Sequence, residues 1–141
     1  MKTIKGNLLS ITDGVICHQT NCMGVLGAGL ALQIKNKWPK VALASEELCK
    51  NSNPLGTAQL IKVEEHLWVA NIYGQYKFGR HGVYTDYTAV SKAFYDLKSQ
   101  LNGQSIYIPK NMGCGLAGGV WSLYSEIVNV ILPDTTIIEL E

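Results

Sequence analysis

The chain contains 141 residues and carries a net charge of +1 at pH 7. With 47% hydrophobic and 16% charged residues, the composition excludes a disordered chain and indicates one folded domain over residues 1–141. The near-neutral charge, without a basic stripe, argues against nucleic acid as a partner, and the lack of an N-terminal or membrane-length apolar run predicts a cytoplasmic protein that does not contact a membrane.

The first half of the chain begins with a predicted strand at residues 2–5, and a buried, β-branched strand follows at residues 14–19 (GVICHQ). A helix is predicted at residues 29–37, where Leu30, Ile34 and Trp38 recur at helical spacing until Pro39 stops it. A second helix is predicted at residues 41–50. The apolar runs 57–63 and 67–73 are separated by Glu-Glu-His and predict a β-hairpin.

The second half opens with an amphipathic helix at residues 86–101, which Thr85 or Asp86 can cap. A strand at residues 105–109, a helix at residues 121–132 and a final strand at residues 135–140 complete the pattern. Because strands and helices alternate, the sequence predicts an α/β fold, a three-layer α/β/α sandwich with a central mixed sheet of about six strands.

Two glycine-rich stretches each follow a predicted strand and precede a predicted helix. The first glycine loop, residues 24–29, reads GVLGAG, and the second glycine loop, residues 113–118, reads GCGLAG. Ligands of open α/β sheets bind beyond the carboxyl ends of the strands. There, backbone N–H groups at a helix start favour phosphate oxygens. We therefore expect the two loops to form opposite walls of one phosphate-binding cleft.

The second glycine loop matches the dinucleotide fingerprint G-x-G-x-x-G, but its position excludes a dinucleotide-binding fold. That fingerprint opens a βαβ unit, whereas only one helix and one strand follow residue 118 here. Neither loop carries the lysine followed by serine or threonine of a P-loop. A pair of glycine turns without a ligand is the remaining alternative.

The cysteines and histidines do not form a metal-binding pattern. Cys17, Cys22, Cys49 and Cys114 include no Cys-x-x-Cys pair, and the three histidines are widely spaced. We expect free thiols, no metal and a buried core position for Cys17. Cys114 is a conceivable nucleophile in the second glycine loop, but no neighbour in sequence would lower its pKa.

Three stretches together resemble the macrodomain family. GNLLSITDGVICHQTNCMGVLGAGLALQIKNKWP is similar to the opening of macrodomains, IYGQYKFGRHGVYTDYTAV to their middle segment, and IPKNMGCGLAGGVW to their second phosphate loop. These stretches stand in the family's order and cover essentially the whole chain. The resemblance is strongest to the branch of phage and bacterial ADP-ribose-1″-phosphate-processing proteins and the terminal ADP-ribose–glutamate hydrolases of animals. It implies a cleft for ADP-ribose.

The resemblance also implies which residues line that cleft. Gly6, Asn7 and Leu8 match the Gly-Asp-Leu that recognises adenine, with Asn7 in place of the aspartate of many relatives; a simple turn residue is the alternative. The other expected contacts surround the two phosphates and the distal ribose, and they are Gly24, Val25, Leu26, Gly27, Ala28, Gly29, Met112, Gly113, Cys114, Gly115, Leu116, Ala117 and Gly118.

His18 and Asn21 are the candidate catalytic residues. The resemblance places Asn21 near the distal ribose, where an amide can both donate and accept; otherwise it fixes its own loop. His18 would act as a general acid or base at the anomeric carbon or its phosphate, unless it is a structural residue at a strand end. Lys77 loosely matches the lysine that attacks the ribose in the glutamate hydrolases, with a solvated surface lysine as the alternative.

Two alanines stand where relatives have aspartate, Ala31 after the first glycine loop and Ala117 in the second. Their presence argues against deglutamylation through a lysine or aspartate. The sequence therefore predicts a monomer that binds ADP-ribose, with ADP-ribosylated protein as a further partner. It would hydrolyse ADP-ribose-1″-phosphate or remove protein-linked ADP-ribose, without a cofactor. The alternative is a non-catalytic module that binds ADP-ribose or another NAD-derived nucleotide.

Overall fold

The computed structural model describes all 141 residues and contains six strands, four α-helices and one short 3₁₀-helix. The strands are β1 (Lys2–Gly6), β2 (Gly14–Gln19), β3 (Ala58–Glu64), β4 (Leu67–Ile72), β5 (Ile106–Pro109) and β6 (Thr136–Leu140). The α-helices are α1 (Gly29–Lys37), α2 (Pro39–Asn51), α3 (Tyr87–Gln100) and α4 (Trp121–Ile131). None of these helices is long and apolar enough to cross a membrane.

The strands form one mixed sheet in the order β1-β6-β5-β2-β4-β3. All neighbouring strands are parallel except β3 and β4, which form the predicted antiparallel hairpin. The predicted six-stranded mixed sheet is thus confirmed. Parallel pairing matters for the site because it sends the carboxyl ends of five strands to one edge.

Helices cover both faces of the sheet, as the fully apolar run in β2 predicts. Val15 and Cys17 point to the face that packs against α3 and α4, where Phe94 and Tyr124 are fully buried. Ile16 points to the opposite face, where it joins the core formed with α1 and α2. The three-layer α/β/α sandwich and the buried position of Cys17 are confirmed.

The predicted element ends differ from the observed ones by one or two residues at most, and one short helix was not predicted. Helix α2 begins at Pro39 rather than at residue 41, because proline is well tolerated in the first turn, where its missing N–H costs nothing. The 3₁₀-helix Leu8–Ser10, whose N-cap is Asn7, was not predicted from the sequence. The Asn7 side chain accepts a hydrogen bond from the Leu9 amide at 2.9 Å.

Candidate functional site

Three neighbouring parallel strands, β5, β2 and β4, carry the candidate site at their carboxyl ends. The first glycine loop follows β2, and the second follows β5. The middle segment, residues 73–86, follows β4 on the other side of β2. The structure therefore brings both glycine loops and the middle segment to the same edge of the sheet, which is where open α/β sheets bind ligands.

Gln19, the last residue of β2, connects the segments that follow all three strands. Its Nε2 donates to Gln75 Oε1 at 2.9 Å and to Thr85 Oγ1 at 2.8 Å, both in the middle segment. Its Oε1 accepts from the Tyr124 hydroxyl at 2.8 Å. Thr85 in turn donates to the Gly113 carbonyl at 2.7 Å. One neutral amide thus fixes the relative positions of the middle segment, the second glycine loop and α4.

The second glycine loop is built around positions that only glycine fits. Gly113 has φ +70°, and a Cβ there would lie 2.6 Å from a Tyr124 ring carbon and 2.8 Å from Gln19 Oε1. Gly118 has φ +75°, and a Cβ there would lie 2.6 Å from the Gly82 carbonyl oxygen. The Ala117 carbonyl accepts from the amides of Tyr84 and Thr85. These contacts hold the loop against the middle segment, so its shape is fixed before any ligand arrives.

The first glycine loop is held by Asn21. The Asn21 Oδ1 accepts from the amides of Met23 at 3.0 Å and Val25 at 3.3 Å, and its Nδ2 donates to the Val25 carbonyl at 2.8 Å. Asn21 therefore shapes its own loop, which the sequence analysis left open, and keeps one N–H free. Gly24 has φ +73°, and a Cβ there would lie 3.1 Å from the Glu46 Cα.

Both α1 and α4, which follow the two glycine loops, begin without a side-chain cap. The N-cap residues are Ala28 and Val120, and neither first turn contains an acidic residue. By contrast, α3 is capped by Asp86, whose carboxylate accepts from the Ala89 amide at 3.1 Å. Uncapped N–H groups and the positive end of the helix dipole favour an anion. The site therefore offers two such helix ends, one beside each glycine loop.

His18 is enclosed rather than open to solvent. Its side chain points to the α1 and α2 face and is only 2% exposed. Its Nε2 lies 2.5 Å from Asn71 Oδ1 on β4, while no protein group is within hydrogen-bonding distance of its Nδ1. Burial lowers the pKa of His18 to about 4, against a smaller opposing effect of the Asn71 hydrogen bond. His18 is therefore neutral at pH 7.

The remaining expected residues divide by exposure. Leu8, Leu26 and Met112 are buried and pack in the core. Gly27, Ala28, Gly29, Gly115 and Leu116 are exposed at the sheet edge. Gly24, Gly113, Cys114, Ala117 and Gly118 are half-buried, and Val25 is exposed.

Neither Cys114 nor Lys77 has a partner that would activate it as a nucleophile. Burial raises the pKa of the Cys114 thiol, which donates to the Met112 carbonyl. The Lys77 side chain is exposed and forms no ion pair, although its carbonyl accepts from Gln75 Nε2 at 2.9 Å. Ala31 on α1 and Ala117 in the second glycine loop supply no carboxylate to the site.

The residues that sequence reasoning missed are polar side chains of the sheet itself. Gln19, Asn71 and Gln59 lie in strands that read as apolar. Their only signal is a polar residue at an otherwise apolar strand end. Their partners, such as Tyr124, are distant in sequence, so the contacts appear only in the folded chain.

One cavity lies beside the first glycine loop and not between the two glycine loops. It is an open groove of about 620 Å³ between the outer side of the first glycine loop and the helices α1 and α2. Lys35 and Glu46 contribute opposite charges to its lining, and Val25 and Leu43 contribute apolar surface. Neither the second glycine loop nor the start of α4 lines this groove.

No protein-family model matches the chain. A stretch of 45 residues is 40% identical to the DNA ADP-ribosyl glycohydrolase of Mycobacterium tuberculosis, which covers 32% of this chain and only 13% of that protein. The chain is also 24% identical over 140 residues to an uncharacterized 17.5 kDa protein of Enterobacteria phage T4, with 92% of this chain and 88% of that protein covered.

Solved structures share the architecture over the whole chain. A protein of unknown function from Bacteroides thetaiotaomicron is 29% identical, with a TM-score of 0.88 and 99% and 97% of the two chains covered. The macrodomain of Mycobacterium tuberculosis DarG is 22% identical, with a TM-score of 0.82 and coverage of 99% and 95%. Thermosipho africanus DarTG in complex with ADP-ribose is 18% identical, with a TM-score of 0.79 and coverage of 99% and 42%. The chain therefore has the macrodomain fold.

Proposed function

We propose that this protein binds ADP-ribose between its two glycine loops and hydrolyses an ADP-ribose derivative there. The observation that carries the binding proposal is the pair of uncapped helix starts, α1 and α4, beside the two glycine loops at one sheet edge. A diphosphate presents adjacent anionic groups, and two sets of free N–H groups can stabilise them without a lysine or a metal.

The macrodomain fold favours ADP-ribose over other diphosphates, because a protein of this fold, Thermosipho DarTG, has been solved with ADP-ribose. The chain's own residues fit the two ends of that ligand. Asn7 Oδ1 uses one lone pair to cap the 3₁₀-helix, and the Nδ2 group forms no hydrogen bond within the protein. The side-chain amide can therefore still form hydrogen bonds with the edge of an adenine ring. Asn21 keeps one N–H for a ribose hydroxyl.

Hydrolysis would depend on the positioning of the distal ribose and on backbone N–H groups that stabilise the charge developing on the phosphate. Water would be the attacking group. His18 is the candidate acceptor for a proton, and Lys77 is the candidate for covalent attack on the ribose. The candidate substrates are ADP-ribose-1″-phosphate and protein-linked ADP-ribose. The two mechanisms differ in which variant loses turnover, since only covalent attack needs the Lys77 amine.

A third leaving group, DNA, is supported by two observations. The first is the 45-residue similarity to a DNA ADP-ribosyl glycohydrolase. The net charge of the whole chain is only +1, which argues against nucleic acid as a partner, but the local surface differs. Locally, Tyr76 and Phe78 of the middle segment are 52% and 54% exposed, beside Lys77 and Arg80, which form no ion pairs. Exposed aromatic rings and free cations are what single-stranded nucleic acid requires.

A binding module without turnover is the second candidate function. The specific observation in its favour is that neither Ala31 on α1 nor Ala117 in the second glycine loop supplies a carboxylate, while His18 is enclosed and neutral. Such a protein would bind ADP-ribose, or another NAD-derived nucleotide, and release it unchanged.

The first experiment is calorimetric titration of the protein with ADP-ribose, ADP and NAD. Binding of ADP-ribose that is clearly tighter than that of ADP is expected, because ADP lacks the distal ribose. The absence of heat at millimolar ADP-ribose would overturn the assignment. Turnover is then measured on the 1″-phosphate, protein-linked and DNA-linked substrates with wild type, His18→Ala and Lys77→Met. Full binding with no turnover on any substrate would identify the binding module.

A further inference from the structure

A chain of buried side-chain hydrogen bonds links His18 to the backbone of α2. His18 Nε2 lies 2.5 Å from Asn71 Oδ1, and Asn71 Nδ2 donates to Gln59 Oε1 at 3.1 Å. Gln59 Nε2 in turn donates to the Ala44 carbonyl at 3.0 Å. Asn71 is fully buried, and it pairs directly with both His18 on β2 and Gln59 on β3 in the sheet.

The Ala44 carbonyl fixes the direction of every hydrogen bond in this chain, because a backbone carbonyl can only accept. Gln59 must turn its NH₂ group toward Ala44, which leaves its Oε1 facing Asn71. Asn71 must then turn its NH₂ group toward Gln59, which leaves its Oδ1 facing His18. An oxygen at this position requires a proton on His18 Nε2. In a neutral imidazole, Nδ1 then carries a lone pair and no proton.

We propose that Asn71 and Gln59 are positioning residues that hold His18 in its neutral Nε2–H form, so that its Nδ1 accepts a hydrogen bond from a hydroxyl group of the bound ligand or from a water that the ligand holds. The proposal rests on the proposed function. The ligand contact is assigned to His18 Nδ1 for one reason. Among the polar side-chain atoms of His18, Asn71 and Gln59, only this nitrogen is buried without a hydrogen-bond partner. Buried polar atoms without a partner are rare in native structures.

This tautomer distinguishes between two possible roles of His18, as an acceptor for a ribose hydroxyl or water and as a general acid at a phosphate. An Nδ1 that carries a lone pair can accept a hydrogen bond from a sugar hydroxyl or from water, but it cannot donate one to a phosphate oxygen, whose lone pairs would face its own. Burial adds to the effect because it disfavours the imidazolium form, which would donate from both nitrogens. His18 is therefore an acceptor at the ribose of the ligand and not a general acid at a phosphate.

The wild-type protein allows a direct test by long-range ¹H–¹⁵N correlation NMR of its histidine rings at pH 7. The spectrum should show a pyrrole-like Nε2 and a pyridine-like Nδ1 for His18, assigned against His66→Gln and His81→Gln. Addition of ADP-ribose should move the Nδ1 resonance upfield, as expected when this nitrogen accepts a hydrogen bond, whereas ADP, which lacks the distal ribose, should not move it.

Each contrary outcome overturns a stated step. A pyridine-like Nε2, or a charged ring, in the free protein would overturn the assignment of Asn71 and Gln59. Binding of ADP-ribose with an unmoved Nδ1 resonance would overturn the ligand contact and leave the proposed function intact. If ADP-ribose moves no resonance of the protein at all, the proposed function fails and the ligand contact with it, while the free-protein spectrum still decides the tautomer.

Two variants test whether Asn71 positions the His18 ring or only stabilises the fold. Asn71→Leu should produce a mixture of the two His18 tautomers and weaken ADP-ribose binding by about tenfold, the equivalent of one hydrogen bond. Ser45→Ala is the matched control. It removes the Ser45 hydroxyl, which lies 3.0 Å from the Tyr73 hydroxyl, and that hydroxyl lies 2.7 Å from Gln59 Oε1. The hydrogen bonds that run from Ala44 to His18 keep their direction. A tautomer mixture in both variants, or in neither, would overturn the proposal.

Discussion

The Tyr124 hydroxyl on α4 donates a hydrogen bond of 2.8 Å to Gln19 Oε1 at the end of β2. Tyr124 is fully buried, and it also contacts the rings of Phe94 and Trp121. Because Gln19 connects the middle segment to the second glycine loop through Thr85, this single contact couples the α4 side of the core to the candidate site.

Replacement of Tyr124 by phenylalanine tests that coupling. The ring contacts remain, but Gln19 Oε1 loses its donor, which should lower the free energy of unfolding by about 1–3 kcal/mol. ADP-ribose binding should weaken as well, because the second glycine loop is then less firmly held. Urea unfolding and calorimetry measure the two effects. Tyr95→Phe, at an exposed position on α3, is the control and should change neither; equal stability of the two variants would contradict the role of Gln19.

Two glycines with positive φ separate conformational strain from close packing. Gly103 has φ +83° and nothing within 4 Å of a built Cβ, whereas Gly113 has φ +70° and two side-chain atoms within 2.8 Å. Gly103→Ala should cost about 1–2 kcal/mol for its left-handed backbone. Gly113→Ala should cost about 2–5 kcal/mol, because overpacking is added to that strain. Chemical denaturation of both variants provides the comparison, and equal losses would show that the Gly113 contacts are unimportant.

The sequence predicted the framework well where a local pattern determines the structure. Helix α1 was predicted with its observed ends, because apolar spacing defines its body and Pro39 excludes its continuation. The hairpin of β3 and β4 was predicted for a similar reason, since two apolar runs flank a short polar stretch. The shared edge of the two glycine loops followed from the alternation of strands and helices.

What the sequence did not show are contacts that depend on register across the sheet. Asn71 is opposite both His18 and Gln59 only because β4 pairs with β2 and β3 in the observed register, and a shift by one residue would move its side chain to the other face. The enclosure of His18 was likewise hidden, because a histidine at a strand end reads the same whether a helix covers it or not.

Acid should destabilise the protein through His18. Its pKa is about 4 in the folded chain, against about 6.5 in the unfolded chain, so the unfolded chain binds more protons between these values. The free energy of unfolding therefore falls as the pH falls from about 6.5 to about 4, by up to about 3 kcal/mol. Unfolding measured across this range in wild type and His18→Gln should show a shallower slope in the variant. His66→Gln, at an exposed histidine, should keep the wild-type slope, and a steep slope in His18→Gln would contradict the prediction.

Asn21 offers a test of how the first glycine loop is held. Asn21→Asp keeps the acceptor for the Met23 and Val25 amides but loses the donor to the Val25 carbonyl. We expect a loss of stability of about 1 kcal/mol. Faster hydrogen exchange is expected throughout the first glycine loop. ADP-ribose binding should weaken as well, since a carboxylate has no N–H to donate to a ribose hydroxyl. Unchanged exchange in this loop would show that Asn21 does not maintain its shape.

Gly115 allows the phosphate site to be tested without disturbing the fold. It is exposed, its φ is not positive, and a built Cβ has nothing within 4 Å, so Gly115→Asp should change the free energy of unfolding by no more than about 0.5 kcal/mol. A carboxylate about 4 Å from a phosphate is expected to cost about 1–4 kcal/mol of binding free energy, and this loss should shrink at high salt.

Two control variants accompany Gly115→Asp. Gly115→Ala separates the effect of the added side-chain size from the effect of the added charge. Asn102→Asp adds the same charge in the turn before β5, at the opposite edge of the sheet, and should bind ADP-ribose like wild type. If Gly115→Asp and Asn102→Asp bind equally well, the second glycine loop does not contact the phosphates.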